Sequence, residues 1–263
     1  GWVKFDDSDG SAYLFSTSKV GGVGANTMGV YVSTDDGIRI WRRDSNGQES
    51  STSSYGSNDL STNVWKHIVV SYNSGTVAFY VNGTSVGSES WSIGDVNSTD
   101  IALGVQKRGR GESGTVLEHY LTGYLDDVAF WSDVLSAAEV AAIYNNGYSF
   151  DPSVNTESYN SASDLSVYYD FNDGTGSILH TETNNNRHMT IVDATWTTIT
   201  PPDIPSIPSG LIATPGNTQV SLKWTKNSEN DFSKYYIYGG TSASPTTKVD
   251  SSTTISDTTK TIT

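Results

Sequence analysis

Cysteine is absent from the 263 residues. That excludes thiol catalysis, disulfide staples and thiolate zinc sites. Positive charge is scarce, with 15 Lys and Arg against 29 Asp and Glu and a formal net charge of −14. Phosphate neutralisation needs clustered cations, so nucleic acid is excluded as a partner, and an anionic membrane surface is disfavoured for the same reason. No apolar run approaches the roughly 18 residues of a membrane-crossing helix, and the first residues lack the charged-then-apolar pattern of a signal peptide. Leu, Glu and Lys, the strong helix formers, are thinly spread.

What remains is a strand and turn composition. There are 25 Gly and 15 Tyr, and aromatics make up 11% of the chain. Short β-prone runs, Tyr13 to Phe15, Met28 to Val32 and Ile38 to Trp41, alternate with turn signals such as Asp35-Asp36-Gly37, so the chain is expected to be all-β. The clearest hairpin follows. Trp65 to Tyr72 is apolar on both faces, as a central strand would be. Asn73-Ser74-Gly75 turns the chain, Thr76 to Val81 returns, and Asn82-Gly83 tolerates the positive φ of a second tight turn.

One segment departs from this pattern. Leu135 to Gly147 carries the marks of a single short helix. Ser136 suits the N-cap, Glu139 the reciprocal bond to the cap, and Gly147 the left-handed exit. Val140, Ile143 and Tyr144 make its buried stripe.

At these residues the chain resembles a known family. Trp65-Lys66-His67-Ile68 with Tyr80-Val81-Asn82-Gly83 is similar to the central hairpin of laminin G-like domains of the concanavalin A-like group. Gly123-Tyr124-Leu125-Asp126-Asp127-Val128, Leu135-Ser136-Ala137-Ala138-Glu139-Val140 and Tyr144-Asn145-Asn146-Gly147 resemble the closing signature of those domains. The resemblance implies a concanavalin A-like jelly-roll sandwich over 1–151. Gly1 to Phe5 looks like an interior strand, so earlier strands of that domain are expected upstream. Residues 152–200 contain Val167 to Ser177 and Met189 to Trp196, similar to a domain opening, and are expected to pack on the first sandwich. After a Pro-rich linker at 201–208, Ser209 to Gly216, Val220 to Trp224 and Tyr235 to Tyr238 resemble the opening strands of a fibronectin type III domain, an immunoglobulin-like sandwich. Trp224 and the Tyr run are expected to fill its core. Such a sandwich needs about 100 residues, so the partial domain at 209–263 is expected to continue beyond Thr263.

Catalysis finds little support. A retaining glycosidase needs two carboxylates about 5–5.5 Å apart, and no E-x-D-x-x-E run supplies them. Asp126 and Asp127 are expected to point to opposite faces of a strand, and His67 lies in the structural hairpin. For metal, Asp7, Asp9 and Asp127 are the candidates for Ca²⁺, an ion that takes hard oxygen ligands and that laminin G-like relatives often hold; turn formation explains the same carboxylates. For a ligand, Arg39, Trp41 and Arg43 share one strand face, an aromatic plate between two guanidinium groups suited to a sugar ring and its hydroxyl or acidic groups. Arginines simply covering Trp41 on a solvated face is the plainer alternative. Trp91 and Arg108 join the set from long loops, Arg108 in the densest basic patch, Lys107 to Arg110.

The expected function is carbohydrate binding or adhesion by a non-catalytic module in a larger extracellular, cell-surface or virion protein of bacterial or viral type. Its partners would be a glycan or neighbouring subunits. A purely structural virion or filament subunit and a polysaccharide-degrading enzyme are the alternatives.

Overall fold

The computed structural model describes residues 1–6, 11–19, 27–44, 46–57, 59–60, 62–94, 96, 98–109, 115–156, 158–183, 186–201, 208–226, 235–240, 245, 247–254 and 256–263. The chain forms two compact units, Gly1–Pro201 and Pro202–Thr263. Among the described residues no helix is long and apolar enough to cross a membrane.

The first unit runs through β1 (Trp2–Phe5), β2 (Ala12–Ser18), β3 (Thr27–Val32), β4 (Ile38–Arg43), β5 (Glu49–Ser51), β6 (Trp65–Asn73), β7 (Thr76–Val81) and β8 (Thr84–Ser90). It continues through β9 (Asp100–Leu103), β10 (Gln106–Gly109), β11 (Thr115–Glu118), β12 (Gly123–Asp126) and β13 (Val128–Trp131). Helix α1 (Ala137–Asn145) follows, then β14 (Leu165–Tyr169), β15 (Ile178–Leu179) and β16 (Met189–Thr190). Two five-stranded antiparallel sheets face each other, β12-β1-β6-β7-β8 and β5-β4-β3-β2-β9. Side chains alternate sides along each strand, so Val3, Phe5, Ile68, Val77 and Phe79 of the first sheet meet Val30, Val32, Ile38 and Ile40 of the second. Ile38, Val77 and Phe79 have no exposed surface. Each contributes about 1.5–3 kcal/mol by burial.

The hairpin expected from the sequence is present. β6 pairs with β7 from Ile68↔Val81 to Asn73↔Thr76, and Ser74 and Gly75 both take positive φ at the turn. Asn82 and Gly83 do the same before β8, a pairing that matches the twist of the strands it joins.

Helix α1 starts at a complete capping box, with the Ser136 hydroxyl accepting from the Glu139 amide and Glu139 accepting from the Ser136 amide. Val140, Ala142 and Ile143 pack with Val69 and Tyr80, so the helix covers the outer side of the first sheet. The second oxygen of Glu139 accepts from the Asn160 amide at 3.1 Å and the Ser161 hydroxyl at 2.6 Å. That ties the helix start to the segment after it. Tyr159, wholly buried, donates to the Pro152 carbonyl and accepts from Trp131 Nε1. β14 then pairs with β13, and Val167, Tyr169 and Leu179 pack with Leu103 and Phe130.

The second unit holds β17 (Ile212–Gly216), β18 (Gln219–Lys223), β19 (Tyr235–Tyr238), β20 (Lys248–Ser252) and β21 (Thr259–Ile262). They form two small sheets, β17-β18-β21 and β19-β20. Trp224 meets Tyr235 edge-on at 5.2 Å, and with Ile237 they make the core. The whole Tyr run does not enter that core: alternation turns Tyr236 and Tyr238 to solvent, each half exposed. The linker residues 202–207 lie outside the described residues.

Burial alone would raise the Glu139 carboxyl, but hydrogen bonds from Ser161 and Ser136 bring it down to about 2, from an ordinary 4.5. Its stabilising contribution is therefore present above about pH 4.5 and lost as pH falls through about 2. Glu139→Ala should cost about 1–2 kcal/mol at pH 7 in urea unfolding, a cap and tether value. The gap to the parent chain should close towards pH 2.

Candidate ligand-binding face

With Ile38 and Ile40 buried, β4 presents Arg39, Trp41 and Arg43 on the face of the second sheet turned away from the core. The cross-strand register builds three rows on this face. Tyr13, Tyr31 and Arg39 form the first, and the two tyrosine rings stack at 5.0 Å. Ser16, Gly29, Trp41 and Ser51 form the second. Gly29 cannot be larger: a Cβ there would lie 2.4 Å from the Tyr13 ring that crosses it. The third row is polar, with Ser18 opposite Asp100 at one side and Thr27, Arg43 and Glu49 in register at the other.

The hairpin β10–β11 folds onto this face. Ser16 anchors it, donating to the Val105 carbonyl and accepting from the Lys107 amide, each at 2.8 Å. Gln106 Nε2 donates to the Tyr13 hydroxyl at 2.7 Å. Lys107 then stands 3.6 Å from Asp100. Arg108 lies over the Trp41 ring, 5.1 Å from its centroid, and 3.8 Å from Glu49 and 3.7 Å from Glu118. Arg43 reaches Glu49 at 3.6 Å. Trp41, Arg43 and Arg108 thus share one place.

Arg39 sits at the far end of the face, bonded to Asp35 at 2.8 Å and to the Ser33 hydroxyl at 3.1 Å. Trp91 is not part of this surface, contrary to expectation. It is buried in the sandwich core, its Nε1 donates to Ser50, and Arg42 covers it at 5.9 Å. Ser18, Thr27, Asp100 and Gln106 are the site residues that sequence reasoning missed. Ser16 to Ser18 reads as a solvated polar patch until the hairpin is seen to cover it. Within the site, Ser18 Oγ, Arg43 Nε and Gln106 Oε1 are buried without a hydrogen-bond partner.

Among the calcium candidates, Asp7 and Asp9 lie outside the described residues. Asp127 is described and lies between β12 and β13. The Tyr168 hydroxyl donates to it at 2.5 Å, and burial pushes its carboxyl up to about 7, with Asp126 and Asp170 adding to the rise. Burial likewise brings Asp126 to about 7. Among the described residues no group of three or more His, Asp or Glu is placed to hold a metal. The expectation that Asp126 and Asp127 are separated by strand alternation is also corrected. Asp127 takes a positive φ between β12 and β13, which breaks the alternation and leaves the two carboxyls electrostatically coupled. His67 is buried against Trp2 and Tyr144. Its Nδ1 has no partner, and burial depresses its pKa well below the ordinary histidine value.

Several solved structures are similar to the chain at low identity. A candidate carbohydrate binding protein from Bacteroides ovatus is 17% identical, with 74% of this chain and 53% of that one covered and a TM-score of 0.43. The chain therefore spans about half the length of that relative. The CBM40 of the Ruminococcus gnavus IT-sialidase is 14% identical, covering 54% of this chain and 79% of its own, with a TM-score of 0.39. A SAP-like pentraxin from Limulus polyphemus is 16% identical, covering 64% and 77%, with a TM-score of 0.40. Curated protein sequences give no match. The sequence model of one family spans residues 1–141, more than half of the chain and including the central hairpin, β12, β13 and the start of α1; the chain belongs to the concanavalin A-like lectin/glucanases superfamily.

Proposed function

We propose that the chain is a non-catalytic carbohydrate-binding module of an extracellular cell-surface or virion protein, and that the outward face of the second sheet holds the glycan. One observation carries this: Ser18 Oγ and Gln106 Oε1 are buried without a hydrogen-bond partner on the sheet face that also carries Trp41, beside Arg43 Nε, which makes no hydrogen bond and meets Glu49 at 3.6 Å. Each such group costs about 1–3 kcal/mol, and a hydroxyl-rich ligand supplies the missing donors and acceptors. Trp41 offers a ring for stacking once Arg108 swings aside. The Arg108 contacts to Glu49 and Glu118, at 3.8 and 3.7 Å, are too long for good hydrogen bonds, so moving it loses little. Arg43 and Arg108 then face the hydroxyl or acidic groups of the sugar. The second unit, in this reading, is a fibronectin type III-like spacer.

A packing surface for neighbouring subunits is favoured by a different observation, the Arg108 guanidinium already seated on Trp41. A glycan array probed with the full chain separates the two. Binding to a defined set of glycans, weakened about tenfold or more by Trp41→Ala and by Arg43→Ala, supports the lectin role. Silence on the array together with self-association abolished by Trp41→Ala supports packing. Shortened products from laminarin or alginate would mean an enzyme.

Calcium, in this reading, rests with Asp7 and Asp9, because Asp127 is engaged by Tyr168. The pH dependence tests that division. Asp126 and Asp127 keep their protons up to about 7, against 3.8 ordinarily. The folded chain therefore binds more protons than the unfolded chain between those values, and stability falls as pH rises from about 4 to 7. Asp127→Asn should flatten the fall in a calcium-free melting series. If EDTA lowers the melting temperature at pH 7 in the parent but not in Asp127→Asn, calcium sits on Asp127 after all.

A further inference from the structure

The hairpin of β15 and β16 carries two histidines that the ligand-binding face does not use. Ile178 pairs with Thr190 and Leu179 with Met189, and the same register brings His180 opposite His188. Their imidazole rings meet at 4.8 Å between centroids, with the planes 69° apart. Of the chain's four histidines, His67 is buried against Trp2 and Tyr144 and His119 lies on Tyr13 at 6.0 Å. The hairpin pair stands open instead. His188 is exposed, and so is half of the His180 side chain.

Both rings are held from behind. Next to His180, the Tyr168 carbonyl accepts from the Thr181 hydroxyl at 3.1 Å and from the Glu182 amide at 2.8 Å. Next to His188, the Tyr169 hydroxyl donates to the Arg187 carbonyl at 2.6 Å. β14 therefore anchors both arms of the hairpin. Asp173 accepts from the His180 amide at 2.8 Å and lies 2.7 Å from His180 Nδ1. That carboxylate keeps the ring proton on Nδ1, which leaves the Nε2 lone pair free and makes it a better donor to a metal.

We propose that His180 and His188 together bind one zinc ion, with Asp173 positioning His180 and water completing the coordination. Two imidazoles on a tetrahedral zinc, with zinc–nitrogen bonds of about 2.0–2.1 Å, hold their ring centres roughly 5 Å apart. The observed 4.8 Å already meets that spacing. Imidazole nitrogen suits zinc, whereas calcium takes oxygen ligands. Among the described residues no third His, Asp or Glu is placed to join the pair, so the protein supplies two ligands and the site stays open. His188 gives up one long bond. Its Nδ1 accepts from the Thr181 amide at 3.2 Å, and coordination through Nε2 moves the ring proton to Nδ1. In return the ion joins two arms whose own ladder is only two residue pairs long. The folded chain brings both rings together and the unfolded chain does not, so zinc stabilises the fold by mass action.

Zinc chloride at about 1 mM should raise the melting temperature of the full chain by about 3 °C or more. His180→Ala and His188→Ala, each alone, should remove most of that rise. Asp173→Asn should weaken zinc about tenfold in a calorimetric titration. In NMR spectra of the parent chain, zinc should perturb the ring signals of His180 and His188 and leave those of His67 and His119 in place. No rise with zinc would overturn the proposal. So would an equal rise in either histidine variant, or His180 and His188 ring signals that zinc leaves unmoved.

Discussion

Burial of Ile38 and Ile40 is the constraint on which the face depends. Both point into the inter-sheet core, and the edge of β4 is held there by main-chain bonds between Ile38 and Tyr55 and between Thr52 and Ile40, with the Thr52 hydroxyl accepting from the Ile40 amide. Side chains repeat every second residue, so a slip of one would exchange the two sets. Arg39 and Arg43 would enter the core as unpaired charges, each costing several kcal/mol. The register of β4 is therefore fixed by hydrophobicity, and the chemistry of its outer face follows without any contribution from a ligand.

The hairpin that covers this face is fixed by a different kind of bond. Ser16 is fully buried, and its hydroxyl both donates and accepts across about ninety residues of sequence to Val105 and Lys107. Gln106 holds Tyr13 beside it. Those directional bonds aim Lys107 and Arg108 at the polar row below them. Among the described residues Arg108 itself is held by long ionic contacts and the Trp41 ring, so the anchored base of the hairpin and this charged side chain differ in freedom. That difference makes a covered ring compatible with a binding role.

Local signals were the legible ones. The capping box at Ser136 and Glu139 and the tight turns at Ser74-Gly75 and Asn82-Gly83 depend on residues close in sequence, and each formed as the residues require. Facing along β4 was legible because period-two alternation held without interruption. Alternation failed where a positive φ broke it, at Asp127, and Asp126 and Asp127 became coupled rather than separated. Trp91 lies beyond the end of β8 in a stretch without periodicity, so nothing in the sequence distinguishes a core tryptophan from an exposed one there. The hydroxyls of Ser16 and Ser18 look solvated in sequence and are buried because a distant hairpin lies over them. Tyr236 and Tyr238 show the reverse, aromatic residues on the outer side of a thin two-stranded sheet.

The two sheets of the first unit therefore differ in what they leave unsatisfied. The outer side of the first is closed by α1, whose Val140 and Ile143 pack with Val69 and Tyr80. In the second sheet, buried side-chain atoms without a hydrogen bond lie on the outer face: Ser18 Oγ, Arg43 Nε and Asp100 Oδ2, the latter two ion-paired, and, from the hairpin above, Gln106 Oε1. A fixed set of hydroxyl, guanidinium and amide atoms beside an aromatic ring discriminates by the ligand's own functional groups. The sandwich core lies between the two sheets and keeps both in register.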